Sequence, residues 1–443
     1  MLLSLLEKQF ALTAHRTTVR TEVLAGLTTF LTMAYIIFVQ PAVLSAAGLD
    51  FGAVLTATCL STAFATVLMA LLANYPIAVA PAMGHNFFFA YTVIIGMKVP
   101  WRVALGAVAV AGLVFTLTAG IGLRERLITA IPASIKHAIA AGIGLLIATI
   151  GLQWAGLIVA APGTLVTLGD LHSRPVVVAI VALVLTAALM ARRIPGALLW
   201  GILASTAIGL PLGVVRYQGL ASPPPSLWPT LLQLDVAGAV APGMLAVVLI
   251  FFFLALFDSV GTLVGVASQA GLMRDGTLPR AREALLADAM GTVVGAALGT
   301  STVTAYIESS AGVAAGGRTG LAGLVTAALF VLSLFFYPLV RMIGGGYAAG
   351  GVTLYPVIAP PLILVGTMMI GGLRHIAWDD PTEEIPSFLT IIIMPLAVSI
   401  TEGVAFGLLA YVTLKVVTGR RREVHPLIFV FAGLFLGRYL FLR

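Results

Sequence analysis

Two acidic residues stand where acids are costly. Asp258 lies in FFFLALFDSVGTLVG and Glu308 in TAYIESSAG, both within apolar runs, whereas most of the chain's 17 Asp and Glu fall in polar connections. A charge at the centre of a spanning helix costs about 2.5–3.5 kcal/mol even on the mildest insertion scale. An acid kept there points to a task. Desolvation favours the neutral form of a carboxyl group, so such a group can take up and release a proton. Once ionised, it can instead accept hydrogen bonds from two ring N–H groups of a flat heterocycle. Glu308 stands where strand-like STVTAY gives way to SSAGVAAG, a half-helix start whose dipole favours a negative partner. Asp258 is therefore the better proton carrier and Glu308 the better substrate anchor. The structural alternative for each is a protonated acid bonded to a neighbouring helix.

Asn86, in NYPIAVAPAMGHNFFFAY, offers two donors and an acceptor and suits the edge of a purine; the alternative is a cap on the half-helix that follows. Phe87, Phe88 and Phe89 could stack on a base, but three consecutive residues cannot share one helix face. Phe87 is the candidate contact, and lipid packing is the default for the other two. His85 has a side chain that titrates near neutral pH and is a candidate proton shuttle; the alternative is a satisfied hydrogen bond. Glu402, between the last two apolar runs, reads as interfacial, and Asp288 as an acid at a helix N-terminus. GGGYAAGG at 344–351 lacks the Lys-Ser/Thr of a phosphate loop and reads as a flexible connection. With one cysteine, Cys59, a disulfide, a Cys-based metal site and redox chemistry are all disfavoured, and no metal or cofactor is expected.

The elements that must position these groups follow from composition. The chain is 60% hydrophobic and 9% charged, against roughly 25% charged in soluble domains. A helix crossing a bilayer needs about 20 apolar residues. Apolar runs give fourteen candidate spans: 22–41, 52–73, 77–97, 102–122, 134–154, 174–191, 196–214, 243–268, 284–298, 301–314, 319–342, 354–372, 385–401 and 402–418. The tail at 427–441 reads as peripheral, and the charged N-terminus as a short amphipathic lead-in rather than a signal peptide. With both termini cytoplasmic, seventeen Lys and Arg fall inside and five (Lys98, Arg102, Arg174, Arg216 and Arg341) outside, as the positive-inside rule demands. The net charge of +7 thus reflects topology rather than nucleic-acid binding.

The longest polar interruption, RYQGLASPPPSLWPTLLQLD at 216–235, separates seven spans from seven. An odd number per half makes the halves run oppositely through the membrane, an inverted repeat of 1–225 and 226–443. AAGL at 46–49 and QAGL at 269–272 echo each other after the first span of each half. Spans three and ten are both irregular. Pro76 and Pro81 bracket a short β-prone run, and GTSTVTAYIESSAG suits a strand better than a helix. Broken backbone at membrane depth survives only where protein buries it or it lines a cavity, so matched breaks place a binding site near the midplane. The fold class expected is an all-α polytopic membrane protein with short strands in spans three and ten.

The segments AGLTTFLTMAYIIFVQP, PAMGHNFFFAYTV, LFDSVGTLVGVASQAGL, LLADAMGTVVGAALGTSTVTAYIESSAGVAAGGRTG and MPLAVSITEGVAFG resemble the AzgA-like purine permeases of the nucleobase/ascorbate transporter superfamily. The likeness covers almost the whole chain, and TSTVTAYIES and LFDSVGT are its specific strings. It implies a seven-plus-seven fold with a core of spans 1–4 and 8–11 and a gate of spans 5–7 and 12–14. It also implies substrate contacts at Asn86, Asp258 and Glu308, with Thr262 and Tyr306 close by, and a homodimer through the gates. Ala82 and His85 replace the Gly and Leu of the usual P-G-M-G-L-N pattern, Ala255 replaces a second acid, and Gln40 an Asn. The related uracil/xanthine branch looks similar at span eight but with a Glu-x-x-Gly-His arrangement where this chain has Asp258, Gly261 and Thr262, so the resemblance favours the purine branch.

The function expected is inward transport of a neutral purine (hypoxanthine, adenine or guanine) with a proton, by alternating access in the lipid of the inner membrane. A uracil/xanthine symporter and an anion transporter of related fold are the alternatives. An anion would be repelled by Asp258 and Glu308. A membrane enzyme lacks any nucleophile–base pattern in this sequence, and a passive channel would not concentrate its substrate.

Overall fold

A computed structural model describes residues 2–120, 132–273, 278–349 and 351–441; Arg124, Arg126 and Arg274 of the charge pattern lie outside them. The apolar segments fall, among the described residues, on helices or strand–helix pairs, the first of them on two helices. Among the described residues, eight helices are long and apolar enough to cross a membrane. The chain divides into two compact units, residues 1–120 with 154–361, and residues 121–153 with 362–443.

In the first unit, α1 (Leu2–Phe10) precedes the first span. Phe10 and Leu12 bury themselves against Leu321, as an amphipathic lead-in requires. The first span is broken, which its continuous apolar run did not foretell: α2 (Val19–Met33) ends and α3 (Ile36–Ala46) begins across Ala34–Tyr35. Pro41 in α3 has no N–H for the carbonyl of residue 37, and its ring crowds that carbonyl. Upstream the bonds tighten, with the N–H groups of Ile37 and Phe38 reaching Ala34 and Tyr35. Then follow α4 (Phe51–Leu68, prolonged by wider turns to Ala73), β1 (Val79–Pro81), α5 (Met83–Phe87, prolonged likewise to Gly96) and α6 (Trp101–Gly120).

The second half begins with α10 (Leu245–Gln269), reached after α7 (Ala133–Trp154), the β2–β3 hairpin (Ile158–Ala161 and Leu165–Leu168), α8 (Arg174–Ala191) and α9 (Ala197–Gly209). It continues with α11 (Ala281–Leu298), β4 (Val303–Ala305), α12 (Ser309–Ala314), α13 (Gly320–Ser333) and α14 (Tyr337–Gly344). The echo of AAGL and QAGL is structural. Gly48 and Gly271 both take positive φ, 93° and 68°, which glycine adopts freely. Leu49 N–H bonds Leu44 C=O and Leu272 N–H bonds Ala267 C=O, so the first span of each half ends in the same Schellman cap.

Two three-residue strands pair within this unit. β1 and β4 pair antiparallel with Val79 opposite Ala305 and Pro81 opposite Val303. The ladder is extended by Ala82 N–H to Thr302 C=O and Tyr306 N–H to Ala78 C=O. Extended backbone at this depth has no water to satisfy it; the neighbouring helices supply hydroxyls instead. Thr66 of α4 donates to Val79 C=O at 3.1 Å and accepts from its N–H at 3.0 Å. Thr292 of α11 does the same for Val303 at 2.7 and 3.2 Å. Each half thus clamps the first residue of its own strand with one threonine.

Three readings are corrected. Asp288 is not at a helix N-terminus but fully buried two turns into α11, because α11 starts at Ala281 rather than 284. Residues 344–351 are not a plain connection: Tyr347–Ala349 (β5) pairs with Val352–Leu354 (β6) in a hairpin, in which Gly346 and Gly351 take positive φ. Phe88 and Phe89 do not face lipid. Both are fully buried and pack their rings against Phe251 at 4.7 and 6.4 Å.

The second unit holds α7 up to Gln153, most of α15 (Ala359–Ile370), α16 (Pro381–Leu396), α17 (Ile400–Val417) and α18 (Pro426–Phe441). Glycines bring its helices together: a Cβ on Gly366 would lie 2.5 Å from Gly144 O, and one on Gly407 would lie 1.8 Å from Thr390 Oγ1, so these backbones touch. Glu402, in the first turn of α17, is hydrogen-bonded to Tyr439 of α18. At the other end of α17, Lys415 is buried and pairs with Glu383 and Glu423 at 2.9 Å each. Arg420 bridges Asp380 at 2.7 Å and Glu423 at 2.8 Å.

Candidate functional site

Chemistry gathers around the paired strands β1 and β4. Asp258 of α10 accepts a hydrogen bond from Thr304 Oγ1 of β4 at 3.0 Å. His85 Nε2 of α5 lies 3.8 Å from the same carboxyl, and the Asp258 side chain is 44% exposed although it sits in the middle of a spanning helix. The reason lies one and two turns further along α10. A Cβ on Gly261 would meet nothing within 4 Å, and one on Gly265 only Ile307 Cδ1 at 3.9 Å. Ile307 itself is 48% exposed. Asp258 therefore faces open space bordered by two glycines and by the residue next to Glu308.

Glu308 is half-buried and stands at the residue preceding the six-residue α12, without a capping hydrogen bond from its side chain. The Tyr35 hydroxyl donates to its Oε1 at 2.7 Å, and Thr32 Oγ1 reaches its main-chain carbonyl at 3.3 Å. The first span holds the whole of this short segment. A Cβ on Gly312 would fall 2.0 Å from Thr29 Oγ1, so only glycine allows α12 to lie on α2. Just beyond α12, the buried Glu22 accepts from Arg318 N–H at 2.9 Å. Tyr306 turns its hydroxyl onto Pro81 C=O at 2.5 Å, capping a carbonyl in the one strand residue without an N–H.

The remaining candidates occupy the walls. Asn86 is fully buried inside α5, whose N-cap is Ala82, so it does not cap the half-helix. Its Oδ1 accepts from Ser301 Oγ, while Gln40 Nε2 donates to Thr300 and Ser301 at 2.9 and 3.1 Å. The amide's acceptor is thus committed to the protein. Phe87 is fully buried, with ring centroids 5.7 Å from Tyr91 and 6.3 Å from Trp154. Thr262 is buried on α10 beside the glycine stripe. His85 is 3% exposed, and its Nδ1 has no hydrogen-bond partner among the described residues. The structure brings Asp258, His85 and Glu308 together around Thr304 and Tyr306, and withdraws Asn86 and Phe87 into packing.

Sequence reasoning missed Tyr35, Thr304 and the two clamping threonines. Tyr35 had a signal in Pro41, which marks the break beside it. Thr66 and Thr292 had none, since a helical threonine ordinarily bonds its own preceding turn.

The permease family model (Xan_ur_permease) matches residues 20–406. The chain belongs to this family. A putative permease of Methanocaldococcus jannaschii is 49% identical to this one over 100% of both chains. The adenine permease AdeP of Escherichia coli is 44% identical over 99% of this chain and 96% of its own. The guanine/hypoxanthine permease PbuG of Bacillus subtilis is also 44% identical, over 96% and 98%. The family read from TSTVTAYIES and LFDSVGT is the one found, and the permease is a multi-pass membrane protein. In structure it is similar to the transmembrane domain of the cyanobacterium bicarbonate transporter BicA, with a TM-score of 0.64 over 87% of this chain and 97% of that one. At 17% identity this likeness speaks for the fold alone. Within the permease, the site offers two carboxyls, an imidazole and hydroxyl donors beside a glycine-lined opening. Such a set can bind a flat polar ring and exchange a proton beside it.

Proposed function

We propose that the permease imports a neutral purine nucleobase together with a proton, by alternating access across the inner membrane. The observation that carries this reading is the pair of carboxyls on either side of β4. Asp258 opens onto empty space, and Glu308 is already held by a tyrosine. Glu308 anchors the ring N–H groups of the base, and Asp258, with His85 beside it, carries the proton. Asn86 shapes the site through Ser301, and Phe87 stiffens its wall. Tyr306 and Thr262 complete the surroundings. Adenine, hypoxanthine and guanine lead the substrates because the 44%-identical relatives carry those names. The fourteen spans, the core and gate domains, cytoplasmic termini and a homodimer through the gates belong to the same reading.

An anion substrate is disfavoured by the same two acids, which would repel it at about the distance where they would hold a purine. The test is accumulation of radiolabelled adenine and hypoxanthine in a strain lacking purine uptake. The permease should concentrate at least one of them, an uncoupler should abolish the accumulation, and Asp258→Asn should do the same. Concentrative uptake that survives both treatments, or uptake of sulfate but of no purine, would overturn the reading.

A further inference from the structure

We infer that Tyr35 is the first half's counterpart of Asp258 and a positioning residue for the substrate, acting by fixing the carboxylate of Glu308. The inference rests on the reading of Glu308 as the substrate anchor. Two independent observations lead to it. The first is contact: the Tyr35 hydroxyl donates to Glu308 Oε1 at 2.7 Å, and its ring is 1% exposed, so the bond is held by packing on every side. The second is position. Tyr35 stands thirteen residues before Gly48, and Asp258 thirteen before Gly271, and those glycines close the same helical cap in the two halves. The two residues therefore occupy one site of the repeated unit. Both reach the same segment of the second half, Asp258 at Thr304 and Tyr35 four residues on at Glu308.

The consequence is chemical. An ionised carboxylate accepts at about four lone-pair positions, and Tyr35 takes one of them on Oε1. That bond fixes the orientation in which Glu308 meets the ring N–H groups of the base. The break at Ala34–Tyr35 places the hydroxyl there, and Thr32 on the same span holds the Glu308 main chain, so the bond moves only if the first span moves.

The test compares Tyr35→Phe and Glu308→Gln with the full-length wild type, in uptake of radiolabelled adenine and hypoxanthine across external pH, with melting temperature as the check on folding. Tyr35→Phe keeps the ring and its packing. It should raise KM by about tenfold, the loss of one hydrogen bond to a charged group, and leave Vmax within about twofold and the melting temperature in place. The ratio of mutant to wild-type KM should fall toward one in acid, where Glu308 is protonated and the charged bond is absent in both proteins. A KM unchanged within about twofold, or a ratio that stays constant across pH while Glu308→Gln impairs uptake, would overturn the role of Tyr35 and leave the anchor standing. Wild-type kinetics in Glu308→Gln would overturn the anchor itself, whatever Tyr35 does.

Discussion

Asp258 combines a central place in an apolar helix with a side chain that is 44% exposed, and the glycines beside it explain how both hold. Gly261 is the sharper case, because nothing lies within 4 Å of an added Cβ and its φ is ordinary. Gly261→Val should therefore fold with a melting temperature within a few degrees of wild type, since the propensities of Gly and Val in a helix differ by only about half a kcal/mol. The added methyls would enter the space proposed for the base, so uptake should fall by about tenfold or more, the scale of a steric misfit in a substrate pocket. A stable variant with undiminished uptake would move the base elsewhere. At this scale the sequence was informative in one respect and blind in another. Acids in apolar runs announce themselves, because burying a charge is costly and chance does not keep it. Tyr35 is as central, yet an aromatic residue in an apolar span looks like packing until a partner 273 positions away is seen.

Among the elements, the paired strands β1 and β4 depend on helices that flank them rather than on their own length. Thr66 and Thr292 each satisfy both polar groups of one strand residue. Thr→Val at either position keeps the shape and strands a buried N–H and C=O, so each variant should lose about 1–3 kcal/mol, seen as a lower melting temperature in detergent. Because the two clamps are equivalent by repeat, the two losses should be similar; a loss at one position alone would break that equivalence. Ion pairs hold the turn after α17. The salt bridges from Arg420 and Lys415 hold the Glu423 carboxyl down at about 2, and Arg420 holds Asp380 well below the usual carboxylate range. A carboxyl depressed in the folded state contributes stability that is complete above its unfolded pKa of roughly 4 and lost as pH falls toward 2. Melting temperature should thus be flat above about pH 5 and drop steadily below it, and Arg420→Ala should flatten the drop. Equal acid sensitivity in both proteins would show that these bridges contribute nothing. Span positions were legible because hydropathy marks them, and the broken spans because Pro76, Pro81 and alternating Thr and Val argue against helix. The β2–β3 and β5–β6 hairpins were not legible. Their strands have three or four residues, too few for alternation to rise above the composition of a loop.

For the whole molecule, the charge pattern makes a geometric statement, and the single thiol makes it testable. Cys59 is buried, so the wild type should scarcely react with a membrane-impermeant thiol reagent. Arg192 and Arg216 are both exposed, and the proposed seven-span halves would place them on opposite faces of the membrane. Arg216→Cys should label in intact cells and Arg192→Cys only after permeabilisation; the reverse pattern would invert the proposed orientation. The echo of AAGL and QAGL was legible in the sequence, and those residues close matching helix caps. The strand pairing could not be read in advance, because nothing local tells Val79 that its strand partner is Ala305. That pairing has a consequence for biogenesis. A chain inserted from its N-terminus delivers β1 to the bilayer long before residues 303–305 have been synthesised. Until then the strand edge has Thr66 but no ladder, in a solvent that offers no hydrogen bonds. Some part of the insertion machinery must shelter this edge. A ribosome stalled before residue 300 should leave a protease-sensitive, chaperone-held intermediate that becomes resistant only once span ten has emerged.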